Sequence, residues 1–154
     1  MSHLSLTYHL VFATWSRYST INIAHERELY KFIYDFATQR GAKVWRIGGM
    51  PDHVHLLLDL PDNIALRSFV RSLKAESSKF MHVNPHFPDW YKWSKGYGAF
   101  VVESDRRSAR IDYIRNQKVH HGTMPFVDEY RNLLADYEMD SATSILGDEE
   151  TLLI

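Results

Sequence analysis

Cysteine is absent from this chain of 154 residues. Disulfide bonds, thiolate metal sites and a cysteine nucleophile are therefore excluded. Long apolar stretches are absent as well, since none approaches the roughly 20 residues of a membrane-spanning helix. The first residues have neither the basic start nor the apolar run of a secretory signal. The absence of cysteine is compatible with the reducing cytoplasm, where we expect the protein, and the length predicts one domain.

An excess of positive charge is also missing, because the formal net charge is −1. The distribution of charge is more informative than its sum. All 18 Lys and Arg and 13 of the 19 acids precede residue 136, which gives this part +5, and the other six acids give the rest −6. A basic body with an acidic C-terminal segment can still bind a polyanion.

The hydrophobic pattern predicts four strands and four helices. Runs rich in apolar, β-branched and aromatic residues place strands at 6–15, 43–47, 53–60 and 97–103. Apolar residues at helical spacing place helices at 24–40, 64–82, about 104–118 and 124–137. Helices that return between strands predict an α+β fold, a ferredoxin-like plait with an antiparallel sheet, helices packed on it and further C-terminal helices. The first and third strands usually lie at the centre of such a sheet.

Two histidines lie two residues apart on the third predicted strand. Side chains alternate along a strand, so His53 and His55 project from the same face while Val54 points into the core. Two imidazoles on one face can bind one metal ion, yet most histidines in proteins bind none. Taken alone, the triplet leaves metal binding and a purely structural role open.

The third predicted helix carries a tyrosine on a polar face. Tyr113 and Gln117 are four residues apart and share this face with Arg106 and Arg110. A phenol beside arginines can approach a phosphodiester, whose oxygens the arginines would neutralise. Gln117 can offer a neutral oxygen to a metal ion. The alternative is an exposed amphiphilic helix with an incidental tyrosine.

Further basic and aromatic side chains are candidates for contacts with nucleic acid. The second helix carries Arg67, Arg71 and Lys74 opposite its apolar stripe, where they could follow a phosphate backbone or simply be solvated. Aromatic residues after this helix could stack on unpaired bases or close the edge of the core. They are His86, Phe87, Trp90, Tyr91, Trp93 and Tyr97.

Several segments together resemble the single-tyrosine HUH transposases, a family that includes small insertion-sequence transposases and REP-associated tyrosine transposases. The histidine–hydrophobe–histidine motif of the family is similar to MPDHVHLL at residues 50–57, and its catalytic helix is similar to YIRNQ at residues 113–117. The segment GYGAF at 96–100 and the early Tyr8-His9, Trp15 and Arg17 are also similar. The resemblance covers about residues 5–137. We expect residues 1–137 to form one catalytic domain and residues 138–154 an acidic tail.

The resemblance implies a set of site residues. Tyr113 matches the nucleophile, and His53, His55 and Gln117 match the ligands of a divalent metal ion. Imidazole and amide donors alone would favour Zn²⁺ or Mn²⁺, whereas the family implies Mg²⁺ or Mn²⁺, and we follow the family because phosphoryl transfer needs open coordination positions. The expected DNA contacts are Arg17, Arg67, Arg71, Lys74, Arg106 and Arg110.

The resemblance also implies a substrate and a reaction. The substrate would be single-stranded DNA, usually recognised through an imperfect hairpin near the cut. Attack by Tyr113 would give a 5′-phosphotyrosine and a free 3′-hydroxyl, and the covalent link would conserve the bond energy for resealing. A homodimer is implied, often with Tyr113 of one subunit completing the metal site of the other. The alternatives are a non-catalytic plait that binds single-stranded nucleic acid and a metal-dependent nuclease that uses water.

Overall fold

The computed structural model describes residues 6–120 and 125–137. Four strands form one antiparallel sheet in the order β2-β3-β1-β4. They are β1 (Thr7–Ala13), β2 (Lys43–Met50), β3 (His53–Asp59) and β4 (Gly98–Val102). The first and third strands are central, as the sequence predicted. The expected acidic tail lies outside the described residues.

Within residues 6–120 and 125–137, five α-helices accompany the sheet, and the α+β class is confirmed. They are α1 (Glu26–Gln39), α2 (Leu66–His82), α3 (Arg107–Arg115), α4 (Gln117–His120) and α5 (Phe126–Asp136), with short 3-10 turns at Trp15–Arg17 and Ser104–Arg106. The predicted third helix is interrupted at Asn116, so Tyr113 and Gln117 lie on consecutive helices. No helix in the described ranges is long and apolar enough to cross a membrane.

The two faces of the sheet have different characters because side chains alternate along β1 and β3. Towards α1 and α2, the strands present Leu10, Phe12 and Val54, which belong to the largest hydrophobic cluster. The opposite face carries buried histidines from both central strands, and α3 and α5 pack over it through Ile114 and Phe126 among others. The fold thus separates an apolar core from a buried polar layer. The expectation that Val54 points into the core is confirmed.

Two glycines allow the C-terminal helices to lie close to this second face. A Cβ atom on Gly48 would stand 2.7 Å from the carbonyl oxygen of Ile114 in α3. A Cβ atom on Gly98 would stand 2.5 Å from the hydroxyl of Tyr130 in α5. Gly48 is paired with His55 across β2 and β3. Because Gly48 has no side chain, the backbone of α3 can lie beside β3, the strand that carries His53 and His55.

Candidate active site

The two predicted histidines lie on the polar face, beneath the C-terminal helices. Both His53 and His55 are fully buried, and their ring centroids are 5.1 Å apart. In the central strand pair they stand opposite Ala13 and Val11 of β1. Burial therefore encloses the imidazoles without placing them in the apolar core.

His53 is oriented by its neighbour in sequence. Its Nδ1 atom lies 2.7 Å from Oδ1 of Asp52 and donates its hydrogen to that carboxylate. The other ring nitrogen, Nε2, is left for a second partner. This atom lies 3.1 Å from Oε1 of Gln117. An imidazole nitrogen and an amide oxygen, both able to bind a cation, thus face each other.

His55 belongs to a buried chain of polar groups that crosses the sheet. Its Nδ1 atom lies 2.8 Å from Nε2 of His9, and the Nδ1 atom of His9 lies 3.0 Å from the Tyr137 hydroxyl. Burial and the nearby His55 and Arg110 lower the pKa of His9 well below its ordinary 6.5, so His9 is neutral. A neutral His9 can donate or accept at Nε2, depending on its tautomer. It can therefore support His55 with the proton on either nitrogen.

Tyr113 lies beside this pair within the same chain. Its hydroxyl donates to Oε1 of Glu129 over 2.7 Å, and Nε2 of His55 lies 3.0 Å from the same oxygen. Its ring centroid is 5.7 Å from that of His55. Burial, and then the negative charge of Glu129, raise the pKa of the Tyr113 hydroxyl above its ordinary value. The phenol is therefore protonated at neutral pH.

Glu129 of α5 is a site residue that the sequence analysis missed. It is 4% exposed. Although burial opposes ionisation, the hydrogen bond and charge of His55, with His53 and Tyr113, lower the pKa of Glu129 to about 2. A sequence signal did exist, because Glu129 falls on the buried stripe of α5 between Phe126 and Leu133. An acid on an apolar stripe is rarely buried unless it is paired.

The buried donors fit a divalent cation. One ligand atom each from His53, His55 and Glu129 lie within 4.8 Å of one another, and Oε1 of Gln117 adjoins the first of them. Each histidine has its second ring nitrogen held by a partner, Asp52 or His9. Such outer partners usually fix the orientation of metal-binding histidines. Two imidazoles with two oxygens would suit Mn²⁺.

Some of the residues predicted to contact DNA are exposed, and others are bound to groups within the protein. Arg67, Arg71 and Arg106 are exposed. Arg110 is buried under α5, where it forms an ion pair of 2.6 Å with Asp136 and lies over the ring of Tyr137. The polar face predicted for the third helix is thus partly covered by α5, which the sequence pattern did not reveal.

Lys74 and Arg17 occupy less open positions than expected. The ammonium group of Lys74 donates to the carbonyl oxygens of Ser94 and Gly96, so this side chain turns towards the loop before β4 and does not share the solvated face of Arg71. Burial lowers the pKa of Lys74 to about 8. Arg17 is half-buried, and its Nε atom is enclosed and has no hydrogen-bond partner among the residues that the structure describes.

The aromatic residues after α2 have mixed roles. Phe87, Trp90 and Trp93 are buried in the main core, which supports the structural alternative for these three. Tyr91 is 54% exposed, and His86 is exposed too. Tyr97 is half-buried and packs against the main core.

Comparison with known proteins identifies the family. The profile of the family described as "Transposase IS200 like" matches residues 2–117, which is most of the chain. The chain belongs to the IS200-like transposase family. The ISDra2 transposase TnpA of Deinococcus radiodurans is 32% identical over 117 residues, which cover 73% of this chain and 84% of that protein.

Solved structures agree with this assignment. A transposase from Deinococcus radiodurans superposes with a TM-score of 0.60 at 31% identity, over 75% of this chain and 93% of the other. A REP-associated tyrosine transposase, solved bound to a REP hairpin, superposes with a TM-score of 0.61 over 80% of this chain and 73% of its own. At 16% identity, the second match shows the shared fold alone. The resemblance inferred from the sequence is confirmed, and this IS200-like transposase acts in DNA transposition.

The matched segment has an informative end point. The family profile ends at Gln117 and thus includes the histidine pair, Tyr113 and the amide. Helix α5, which supplies Glu129, lies beyond it. The carboxylate in the candidate site is therefore a feature of this chain outside the family's matched segment.

Proposed function

We propose that this transposase cleaves and rejoins single-stranded DNA with Tyr113 as the nucleophile. In the reaction, a bond forms between the Tyr113 oxygen and the scissile phosphorus while the bond to the 3′-oxygen breaks. The phenol loses its proton as it attacks and the departing 3′-oxygen takes up a proton, so the products are a 5′-phosphotyrosine and a strand that ends in a 3′-hydroxyl. A second 3′-hydroxyl can reverse the step and join a new strand without ATP.

One observation carries the proposal. The Tyr113 hydroxyl and the Nε2 atom of His55 both contact the same oxygen of Glu129, at 2.7 and 3.0 Å. A phenol therefore lies next to the imidazole pair in a single chain. A water-dependent nuclease would have no need for a phenol at this place, and a passive binding plait would need neither group.

We further propose that His53, His55 and Gln117 hold Mg²⁺ or Mn²⁺, with Glu129 as an additional ligand. The bound cation would act as a Lewis acid towards the scissile phosphate. The protein's own groups prepare the reaction. Asp52 and His9 fix the ring orientations of the two histidines, and the carboxylate of Glu129 positions the phenol by accepting its hydrogen bond.

The nucleophile assignment is tested by trapping the covalent intermediate. The full chain is incubated with Mn²⁺ and a labelled pool of single-stranded hairpins with randomised flanks, and the products are separated on a denaturing gel. We expect a labelled adduct, which Tyr113→Phe abolishes and His53→Ala abolishes or nearly so. Tyr34→Phe, an exposed tyrosine on α1, is the matched control. Sequencing of DNA recovered from the adduct would then identify the cleaved sequence.

The same assay separates the alternatives. Cleavage without an adduct, unchanged in Tyr113→Phe, would favour a nuclease that uses water. Retention of the hairpins with no cleavage in Mg²⁺ or Mn²⁺ would favour a passive binding plait. The chain as a whole is proposed to comprise one catalytic domain over residues 1–137 and an acidic tail over residues 138–154.

The homodimer implied by the family stays a prediction, and mixing inactive variants tests whether subunits share sites. If Tyr113 serves the histidines of its own chain, a mixture of Tyr113→Phe and His53→Ala will form no adduct. An exchange of helices between subunits would restore part of the activity, because one combined site would then be intact.

A further inference from the structure

We propose that Trp15, Tyr91 and Lys92 form a binding subsite for an unpaired nucleotide of the DNA strand. The base would stack on the aromatic side chains, and the lysine would neutralise the adjoining phosphate. This inference rests on the proposed action on single-stranded DNA, and it adds a sequence-tolerant contact outside the candidate active site.

The subsite is built from two segments that are joined through their backbones. The Trp15 amide donates to the carbonyl of Lys92 over 2.9 Å, and the Ser94 amide donates to the carbonyl of Ala13 over 2.8 Å. An isolated bridge between Thr14 and Trp93 lies between these two bonds. The backbone of the subsite is therefore a hydrogen-bonded extension of β1, and no loop motion is needed to assemble the subsite.

The subsite lies next to the start of β3, the strand that carries His53 and His55. Ala13 pairs with His53, and the next residue, Thr14, donates its amide hydrogen to the carbonyl of Asp52 over 2.9 Å. Asp52 is the residue that orients His53. If a phosphate of a DNA strand lies at the candidate active site, the neighbouring nucleotides of that DNA strand would thus be within reach of the turn that follows β1.

The turn itself is strained, which is typical of functional segments. Ser16 and Arg17 both have positive φ angles, of 50° and 57°, a region that non-glycine residues seldom occupy. Thr14 stabilises the turn by donating its hydroxyl hydrogen to the carbonyl of Tyr18 over 2.7 Å. No glycine relieves this strain, and the side chains that are retained include a second cation, Arg17.

The side chains of the subsite are suited to bind a nucleotide. Tyr91 is 54% exposed, and its ring meets Trp15 edge to face at a centroid distance of 6.1 Å. The ammonium group of Lys92 lies 4.2 Å from the Trp15 centroid and 5.3 Å from the Tyr91 centroid. A cation held beside the exposed ring of Tyr91 and the half-buried ring of Trp15 offers stacking and phosphate neutralisation together, the combination that proteins use for unpaired strands.

Photo-crosslinking in the absence of catalysis tests the subsite. The full chain is mixed in EDTA with a ten-nucleotide strand of 5-iodo-deoxyuridine, irradiated, digested with trypsin and mapped by mass spectrometry. We expect crosslinks in the peptides 80–92 and 1–17, which contain Tyr91 and Trp15. Fluorescence anisotropy with a labelled ten-nucleotide thymidine strand should show that Tyr91→Ala weakens binding about tenfold. Tyr34→Ala, an exposed tyrosine on α1, should leave binding unchanged.

Each contrary outcome has a distinct meaning. Crosslinks confined to other peptides, or equal affinities for Tyr91→Ala and the parent chain, would overturn the subsite. Absence of measurable binding to the thymidine strand would also overturn the proposal of a sequence-tolerant subsite. None of these results depends on Tyr113 or on a metal ion, so the nucleophile proposal could stand while this inference fails. Adduct formation with hairpins tests that proposal separately.

Discussion

The hydroxyl of Tyr113 and the carboxylate of Glu129 are joined by a hydrogen bond of 2.7 Å between two different helices. The same carboxylate oxygen contacts His55. Glu129 is thus the common partner of the proposed nucleophile and of a proposed metal ligand.

Replacement of Glu129 by Gln should weaken Mn²⁺ binding by at least about tenfold, because one anionic oxygen is removed from the proposed ligand set. Isothermal titration calorimetry or the Mn²⁺ paramagnetic resonance signal would measure the change without any reaction. Asp128→Asn, a neighbouring position on α5, removes the same charge and serves as the control. Equal affinities in the two variants would contradict a ligand role for Glu129.

The same substitution should change the pH dependence of stability. The pKa of Glu129 is about 2 in the folded chain and about 4.5 ordinarily. Its ionisation therefore stabilises the fold above pH 4.5, and this contribution is lost as the pH falls towards 2. The difference in the free energy of unfolding between the parent chain and Glu129→Gln should be largest near pH 6 and shrink by pH 3. Urea unfolding of the metal-free protein would measure it, and a constant difference would argue against the lowered pKa.

Removal of the outer partner of His55 should loosen the metal site without dismantling it. We expect His9→Ala to lower Mn²⁺ affinity about tenfold, since the ring of His55 loses the group that fixes its orientation. His82→Ala, an exposed histidine at the end of α2, is the matched control. Calorimetric titration of both variants provides the measurement, and thermal unfolding would show whether any loss reflects a general collapse of the fold.

The strands and helices could be predicted from the sequence because their signals are local. Alternation and helical spacing placed the histidines on a central strand and the tyrosine on the helix that follows β4. The position of α5 could not be predicted in this way, since it depends on how Phe126, Tyr130 and Leu133 pack over the sheet. Glu129 was missed for that reason, and Arg110 was expected to be open for the same reason. Packing between distant segments leaves no periodic pattern.

The basic residues of α2 should differ in their effect on DNA binding. Arg67→Ala and Arg71→Ala should each reduce the salt dependence of binding to single-stranded DNA, by about 0.7 in the logarithmic slope for every phosphate that is no longer neutralised. Lys74→Met should mainly lower stability, because its ammonium group holds two backbone carbonyls before β4. Anisotropy at several salt concentrations and chemical unfolding would separate these effects. A reduced slope in a stable Lys74→Met variant would show that Lys74 does bind phosphate.

The closeness of α3 to the sheet can be tested at Gly48. A Cβ atom there would lie 2.7 Å from a backbone oxygen of Ile114, which cannot move aside as a side chain could. We expect Gly48→Ala to cost about 1–3 kcal/mol in unfolding free energy and to reduce adduct formation by displacing Tyr113. Ser108→Ala, an exposed position on the same helix, is the control. Unchanged stability and activity would mean that α3 tolerates the shift.

One polypeptide brings together the phenol, the imidazoles, the amide and the carboxylate. This affects how activity depends on protein concentration. If each molecule is complete by itself, the initial rate of strand cutting should rise linearly with protein concentration, without the threshold that assembly from halves would impose. A cell holding only a few copies would then still be able to nick its target. Activity at such scarcity would have to be restrained through access to suitable DNA.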